Sequence, residues 1–488
     1  MKSKYLGPIP HLSTGVRLPD IVVPPILKAY KDYDAVGGLM LSYNRETAPS
    51  RVIASTDPKL FLRGHTGTSI KEYISKAREY IGYYDIPMEI EADHVSLMAS
   101  PERAIKRITG AEFEYGLSDE EIKESLSYIE EEFREVSEAG GVNFVTIDTC
   151  ELIDLGVDKL SDKEVMERYE TEIESDVRKR LEKEYCNRVF TFLGDDLILR
   201  VKISKEMLAR LALKFLKSIE YARKVCDVIS KYLTEPFGVE VSLDEVPQIT
   251  KPEELLFYLR ELHHVGVYPD FIAPNIGFKK REDYKGELSD LEKTVKTLHV
   301  IAKSMGALLS LHSGSGAHPY SDKGVGTWNT IRKATNSMVK YKVSGVYIQL
   351  LLEVMSRSPQ GSKPRRLYEE IYDTVYDYLK KEITRKTALY SPSLEKAVKD
   401  YEEKVKEAPS LKYDPRVDFF RHYFFVFQAV RDTKGLRYLR SKVLELYSED
   451  VELKRVYEEE AYDLTRRIIT KLGLAGNILR YKLIYHSK

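Results

Sequence analysis

The sequence predicts an α/β protein, a (β/α)8 TIM-type barrel with a helical insertion and a helical C-terminal extension. Three observations lead there. From Pro87 onward, short strand-like runs alternate with long amphipathic charged stretches, the rhythm of βα units feeding a parallel sheet. Four of those runs end in polar residues that a buried strand has no reason to keep, and in parallel α/β folds the C-terminal strand ends converge on one mouth. The 488 residues, 43% of them hydrophobic, suffice for one large domain with additions or for two to three ordinary ones.

Taken in order, residues 1–86 combine a Pro-rich start with two β-like runs, 37–44 and 51–56, and a helical stretch over 70–80. This segment is either a cap or the first barrel strands. Residues 87–355 form the barrel region, with strand-like runs at 88–95, 142–148, 239–245, 267–274, 307–314 and 340–348. Between about 158 and 232 the chain reads as helix broken by a hairpin-like run at 188–201, which suggests an insertion on the barrel rim. Residues 356–488 form helices rich in Tyr, Lys and Glu after the turn-rich break at 356–364, expected to pack on the barrel. No internal repeat is evident, so solenoids and propellers fall away.

Composition narrows the function. Charged residues make up 31% of the chain but the net charge is −1, so no whole-molecule field would recruit nucleic acid or an acidic membrane. Cys150, Cys186 and Cys226 show no CxxC spacing, which fits a reducing compartment and excludes a disulfide framework and a cysteine-based zinc knuckle. No N-terminal apolar core and no run of membrane-spanning length is seen; a cytoplasmic location is expected. Abundant Lys, Glu and Tyr with only Gln248, Gln349, Gln360 and Gln428 lean toward proteins of hot environments.

The polar strand ends carry the chemistry: Asp93 and His94, Asp148, Asp244 and Glu245, and His312 followed by Ser313, Gly314 and Ser315. Any one of these carboxylates alone would be an ordinary helix cap or loop salt bridge. Together they are costly to bury unless a metal or substrate engages them. His94 and His312, with carboxylates near in sequence, suit a divalent metal that polarises a substrate oxygen. Strand parity sets Glu89, Glu91 and Asp93 on one face and His94 on the other, so both Asp93 and His94 face the mouth only if the strand breaks there. It likewise separates Asp244 from Glu245 and leaves the working acid open. The HSGSG segment (312–316) offers hydroxyls and N–H groups to a carboxylate or phosphate. Lys279, Lys280 and Arg281 could meet an anion, although at least two of the three are expected to be a solvated patch.

At these residues the sequence resembles the tagaturonate/fructuronate epimerases, metal-dependent barrel enzymes. The likeness rests on Ala92-Asp93-His94-Val95, on Thr146-Ile147-Asp148, on Glu240 through Glu245 with Pro252 following, on Ile272-Ala273-Pro274 leading to Asp283, Tyr284 and Gly286, and on Ser310 through Ser315. It runs in order over roughly residues 88–350 and fades in the N-terminal region, the insertion and the C-terminal helices. The resemblance implies a divalent metal on His94 and His312, Asp93 as proton acceptor and Glu245 as proton donor; the residues themselves leave Asp244 open as the working acid and place Asp148, Lys280, Ser313, Ser315 and, by shared strand parity, Lys340 and Lys342 around the substrate. The expected substrate is a small keto-hexuronate or related ketose. The carbinol to be inverted in such a molecule lies β to the ketone, so enolisation cannot invert it, whereas retro-aldol cleavage and re-addition can.

Two departures from the family pattern stand out. After HSGS the family has Asp, Lys and an aromatic, but this chain has Gly316, Ala317 and His318, with Ser321-Asp322-Lys323 later. The family's HxKTAG, whose histidine is read as a metal ligand, is Lys340-Tyr341-Lys342-Val343-Ser344-Gly345 here, and a protonated lysine cannot ligate a metal. The third ligand then falls to His318, Glu245 or Asp244, or the Lys340 ammonium replaces the cation, or the site no longer turns over. Alternative readings are therefore a non-catalytic sugar-acid binding or regulatory protein and an aldolase or isomerase using Lys340 or Lys342. Metal identity and homo-oligomerisation stay open.

Overall fold

In the computed structural model, which describes residues 3–100, 103 and 116–485, eight parallel strands close into a barrel. They are β1 (His11–Gly15), β2 (Gly37–Ser42), β3 (Met88–Ser96), β4 (Phe144–Asp148), β5 (Gly238–Leu243), β6 (Phe271–Pro274), β7 (Leu308–Leu311) and β8 (Val339–Val343). Each pairs with its sequence neighbours, and β8 closes on β1 through His11 opposite Lys340 and Ser13 opposite Lys342. Residues 1–86 thus supply the first two strands. His11–Gly15 is too short and too poor in β-branched residues to announce itself as a strand, but all five of its residues are buried.

The run 51–56, expected as a strand, is instead part of a helix, Ser50–Ala54. Pro49 at its N-cap has φ −52° and ψ 146°, and of the helix residues only Val52 is buried, a pattern that one helical turn satisfies and a core strand would not. The adjoining short parallel pair, Thr47–Ala48 with Thr68–Ser69, shapes the loop above β2. At the other end of the barrel, β8 stops at Val343 and a helix begins at Val346, so the single apolar run 340–348 is a strand followed by a helix.

The insertion forms helices Asp162–Glu172, Ser175–Tyr185 and Lys205–Ser230 with the antiparallel hairpin Val189–Leu193/Ile198–Lys202. The last of these helices lies between Asp119–Glu138 and Pro252–His264 in the outer layer, where the βα helix after β4 belongs. The hairpin buries Phe192 and Val201 and packs on the outer helices Leu288–Ser304 and Pro252–His264 rather than over the mouth. Among the C-terminal helices, Val451–Lys471 fits between Pro19–Asp32 and Val346–Arg357 and joins the first to the last barrel unit. Helix Lys363–Arg385 builds an aromatic cluster with the segment around Phe419, with the Tyr372 and Phe420 rings stacked at 4.6 Å. One continuous apolar core runs through the barrel helices and this extension.

Candidate active site

Strand alternation determines which side chains fill the barrel, and here they are largely charged. Glu89, Glu91 and Asp93 of β3, Glu240 and Ser242 of β5, and Lys340 and Lys342 of β8 are all buried. They sort into layers. In the lower one, Lys340 lies 2.8 Å from Glu91 and 3.5 Å from Glu240, with its ammonium over the Phe144 ring at 3.4 Å. Ser13 donates to Glu91 at 2.5 Å. Lys340 is fully buried and does not line the mouth. Its expected place beside the substrate is therefore corrected: it sits one pleat below Lys342, where Glu91 and two aromatic rings seal it in.

The upper layer opens to a cavity. Lys342 is 2.8 Å from Asp93, 2.9 Å from Glu240 and 2.6 Å from the Thr146 hydroxyl. Ser42 donates to the other oxygen of Asp93 at 2.8 Å. Burial alone would raise the Asp93 carboxyl, but Lys342, His94 and His312 outweigh it and hold the group well below the ordinary carboxylate range. For Lys342 the balance is reciprocal: burial would lower it, and Asp93 and Glu240 push it up instead. The pair is held ionised.

β3 breaks at Asp93–His94, the condition under which both side chains can face the mouth. The β3–β4 register shifts between Ala92 and Val95, and His94 has φ 45°; this bulge turns Asp93 and His94 to the same side. Left-handed backbone at a non-glycine residue costs about 1–3 kcal/mol and persists where surrounding contacts impose it. Ser313 (φ 55°) and Arg281 (φ 57°), both on the cavity wall, share it.

The two histidines meet there, ring centroids 4.9 Å apart. His94 Nδ1 donates to Asp148 at 3.3 Å, and His312 Nε2 donates to Glu240 at 2.5 Å. His312 Nδ1 is buried 3.1 Å from a carboxylate oxygen of Asp244. Each imidazole thus gives one N–H to a carboxylate, the arrangement that orients metal-binding histidines, while the second nitrogen of His312 faces Asp244. Donor atoms of His94, Asp244 and His312 lie within 4.8 Å of one another, as do those of His94, Asp148 and Glu245. Two imidazoles and a carboxylate suit a divalent first-row metal. His318, another ligand candidate, is on neither set.

The remaining sequence candidates divide. Ser313, Ser315, Lys280 and Lys342 line the cavity; Asp148, Asp244 and Glu245 stand behind it. Asp148 accepts from Ser96 and from the Cys150 amide besides holding His94. Glu245 accepts from Arg45 at 2.9 Å and Lys280 at 2.8 Å, so these two cations separate it from the cavity. The basic patch at 279–281 is less solvated than expected, since Lys280 and Arg281 both reach the cavity wall. Sequence reasoning missed Arg17, Arg45, Glu46 and His65 from the first two barrel units, and His422 and Phe425 from the C-terminal extension. No motif marks them; they arrive through long-range packing, such as His65 against Phe425 at 4.8 Å. The cavity holds about 150 Å³ of free space, the size of a small metabolite.

A family model described as tagaturonate epimerase matches residues 109–459, reaching through the insertion and well into the C-terminal helices, beyond the motif-bearing stretch. The tagaturonate/fructuronate epimerase of Thermotoga maritima is 27% identical over 281 residues, 57% of this chain and 53% of that protein. The chain thus matches about half the length of that curated relative. The native crystal structure of fructuronate-tagaturonate epimerase from Cohnella laeviribosi aligns with TM-score 0.66 at 18% identity, covering 97% of this chain and 83% of that one. A glycerol complex of the same enzyme gives 0.67. These likenesses establish the shared barrel.

Proposed function

The chain belongs to the tagaturonate epimerase family, and from that premise we propose that it epimerises a keto-hexuronate at a carbinol β to the ketone, by retro-aldol cleavage and re-addition. One observation carries the reading. An ionised Asp93 and two oriented histidines face a small cavity whose rim is cationic, with Arg17, Arg45, Lys280 and Arg281. That is a fit for an anionic polyol.

In this reading Asp93 accepts the proton of the substrate hydroxyl, and Lys342 and Ser42 orient its two oxygens. The Lys280–Glu245 pair at the opposite rim returns a proton on re-addition, with the ammonium, not the carboxylate, on the cavity side. His94, His312 and Asp244 would hold a divalent cation, supported by the clustering of their donor atoms and by the carboxylate behind each imidazole. Such a cation supplies charge stabilisation at the substrate's oxygens. Lys342 adds a fixed positive charge beside Asp93. An imine mechanism is disfavoured: Lys342 is held protonated by Asp93 and Glu240, and Lys340 is sealed below.

The test is NMR of D-tagaturonate incubated with purified protein, as isolated, after chelation, and after adding back Mn, Co, Ni, Zn or Fe. Formation of D-fructuronate, lost on chelation and restored by one of these metals, is expected. His312→Ala should bind less metal by elemental analysis. No conversion under any of these conditions would sink the proposal, and binding without turnover would point to a sugar-acid binding protein.

A further inference from the structure

The groups of the proposed reaction lie on β2, β3 and β8 and in the loops after β5, β6 and β7, but the cavity wall just beyond the ends of β1 and β8 is left unused. There the helix Val346–Arg357 begins at Gly345 without a side-chain cap. Two guanidinium groups crowd its first turn: a Cβ placed on Gly345 would lie 3.3 Å from Arg281 Nη2 and 3.5 Å from Arg17 Nη1 and Nη2. Both arginines line the cavity.

Their other contacts neutralise only one of the two charges. Arg17 gives Nε (2.9 Å) and Nη2 (2.5 Å) to Glu46, but its Nη1 is buried with no hydrogen-bond partner, in a residue only 6% exposed. Arg281 has no carboxylate within ion-pair range among the described residues. Its Nη1 instead donates to the backbone carbonyls of Arg421 (2.8 Å) and His422. Arg421 in turn donates to the Arg281 carbonyl, so the C-terminal extension clasps this arginine from above. Burial first, and then Arg17, push the Arg281 guanidinium down to about 9. Two guanidiniums that share a single carboxylate, Glu46, leave one positive charge unmatched, and the orphan N–H and the positive end of a helix both favour a further anion.

We propose that Arg17, Arg281 and the N-terminus of helix Val346–Arg357 form an oxyanion subsite that anchors the charged end of the substrate, with the C-terminal extension holding Arg281 in place. The inference rests on the sugar-acid reading above, in which the anion is the substrate carboxylate. The same chemistry would take a phosphoryl group, which would make the substrate a sugar phosphate. A planar carboxylate or a phosphate can accept from two N–H groups of a guanidinium at once. The remote carboxylate is then fixed on the β8–β1 side while the reacting carbinol lies toward Asp93.

Calorimetric titration tests the subsite by binding, apart from turnover. The full-length protein is titrated with D-tagaturonate, with D-tagatose (a neutral ketose lacking the carboxylate) and with inorganic phosphate. The same titrations are run on Arg281→Gln, which removes the guanidinium charge, and on Arg17→Lys, which keeps a charge for Glu46 but loses Nη1. Melting temperatures check that each variant folds. We expect D-tagaturonate to bind at least tenfold tighter than D-tagatose, and both variants to erase most of that preference while leaving D-tagatose binding within about threefold. Phosphate binding tightly and depending on Arg281, with D-tagaturonate not binding, would keep the subsite and overturn the hexuronate reading. Equal affinity for acid and neutral sugar in the wild type, or loss of both in equal measure in folded variants, would overturn the subsite.

Discussion

Lys340 and Lys342 are two residues apart on one strand and face the same barrel interior, yet they belong to different parts of the molecule. Lys340 lies in a closed layer: Glu91 at 2.8 Å, Phe144 beneath its ammonium, and His11 and Glu89 nearby, all fully buried. Burial pushes Glu89 well above the usual carboxylate range, so this layer approaches neutrality without a ligand. Lys342 lies one pleat higher, where it joins Asp93, His312 and His94 around a cavity, with Glu240 buried behind it. Similar groups are structural in one layer and available for chemistry in the next. The difference is access and the break in β3 at His94, which leaves the upper layer with donors and acceptors turned toward open space.

Breaking the upper layer should first cost activity. Asp93→Asn keeps the shape of the acceptor but removes its charge, and kcat on the keto-hexuronate should fall roughly 100- to 10,000-fold, measured in a coupled or NMR assay; retention of activity would remove Asp93 from the mechanism. The lower layer should respond in stability instead. Lys340→Met leaves Glu91 buried beside no ammonium and should cost about 3–5 kcal/mol in chemical denaturation, whereas a cost below about 1 kcal/mol would show that the floor rearranges. Ser42→Ala sharpens the boundary: it removes only the second hydrogen bond to Asp93, worth about 1.5–3 kcal/mol for a charged acceptor, and should lower kcat more than it lowers the melting temperature.

The smallest effect is on pH. Burial would lower His312, but Asp244 and Glu240 raise it to about 9 in the metal-free protein. Because that lies above the ordinary 6.5, the pairing stabilises the metal-free fold fully below pH 6.5 and is lost as pH rises through 9. Stability should fall across this window with a slope of up to about 1.4 kcal/mol per pH unit for one proton. His312→Gln should flatten it, as followed by denaturation midpoints between pH 6 and 10; an unchanged slope would place the titration elsewhere.

Much of this arrangement was legible before folding. Polar residues at the ends of apolar runs marked Asp93, His94, Asp148, Asp244, Glu245 and His312, because a strand end in a parallel sheet is where such groups are tolerated. Parity allowed Asp93 and His94 to share the mouth only across a break, and the bulge supplies it. Parity also grouped Lys340 with Lys342 and so put both at the mouth, since a two-residue period gives the face but not the depth. Ser50–Ala54 was misread as a strand for a related reason: a short apolar run suits one helical turn as well as a buried strand.

By itself, then, the chain's pattern of apolar runs, turns and polar strand ends determined a parallel barrel and the side of it on which chemistry would lie, because these follow from local periodicity and from the geometry of βα units. Only tertiary structure decided which charges are sealed and which are presented. Arg17, Arg45 and His65 come from the first barrel units, Arg281 from the loop after β6, and His422 and Phe425 from more than 350 residues beyond His65. Their convergence depends on closing β8 against β1 and on docking the C-terminal helices across the mouth, long-range contacts that leave no periodic trace in the sequence.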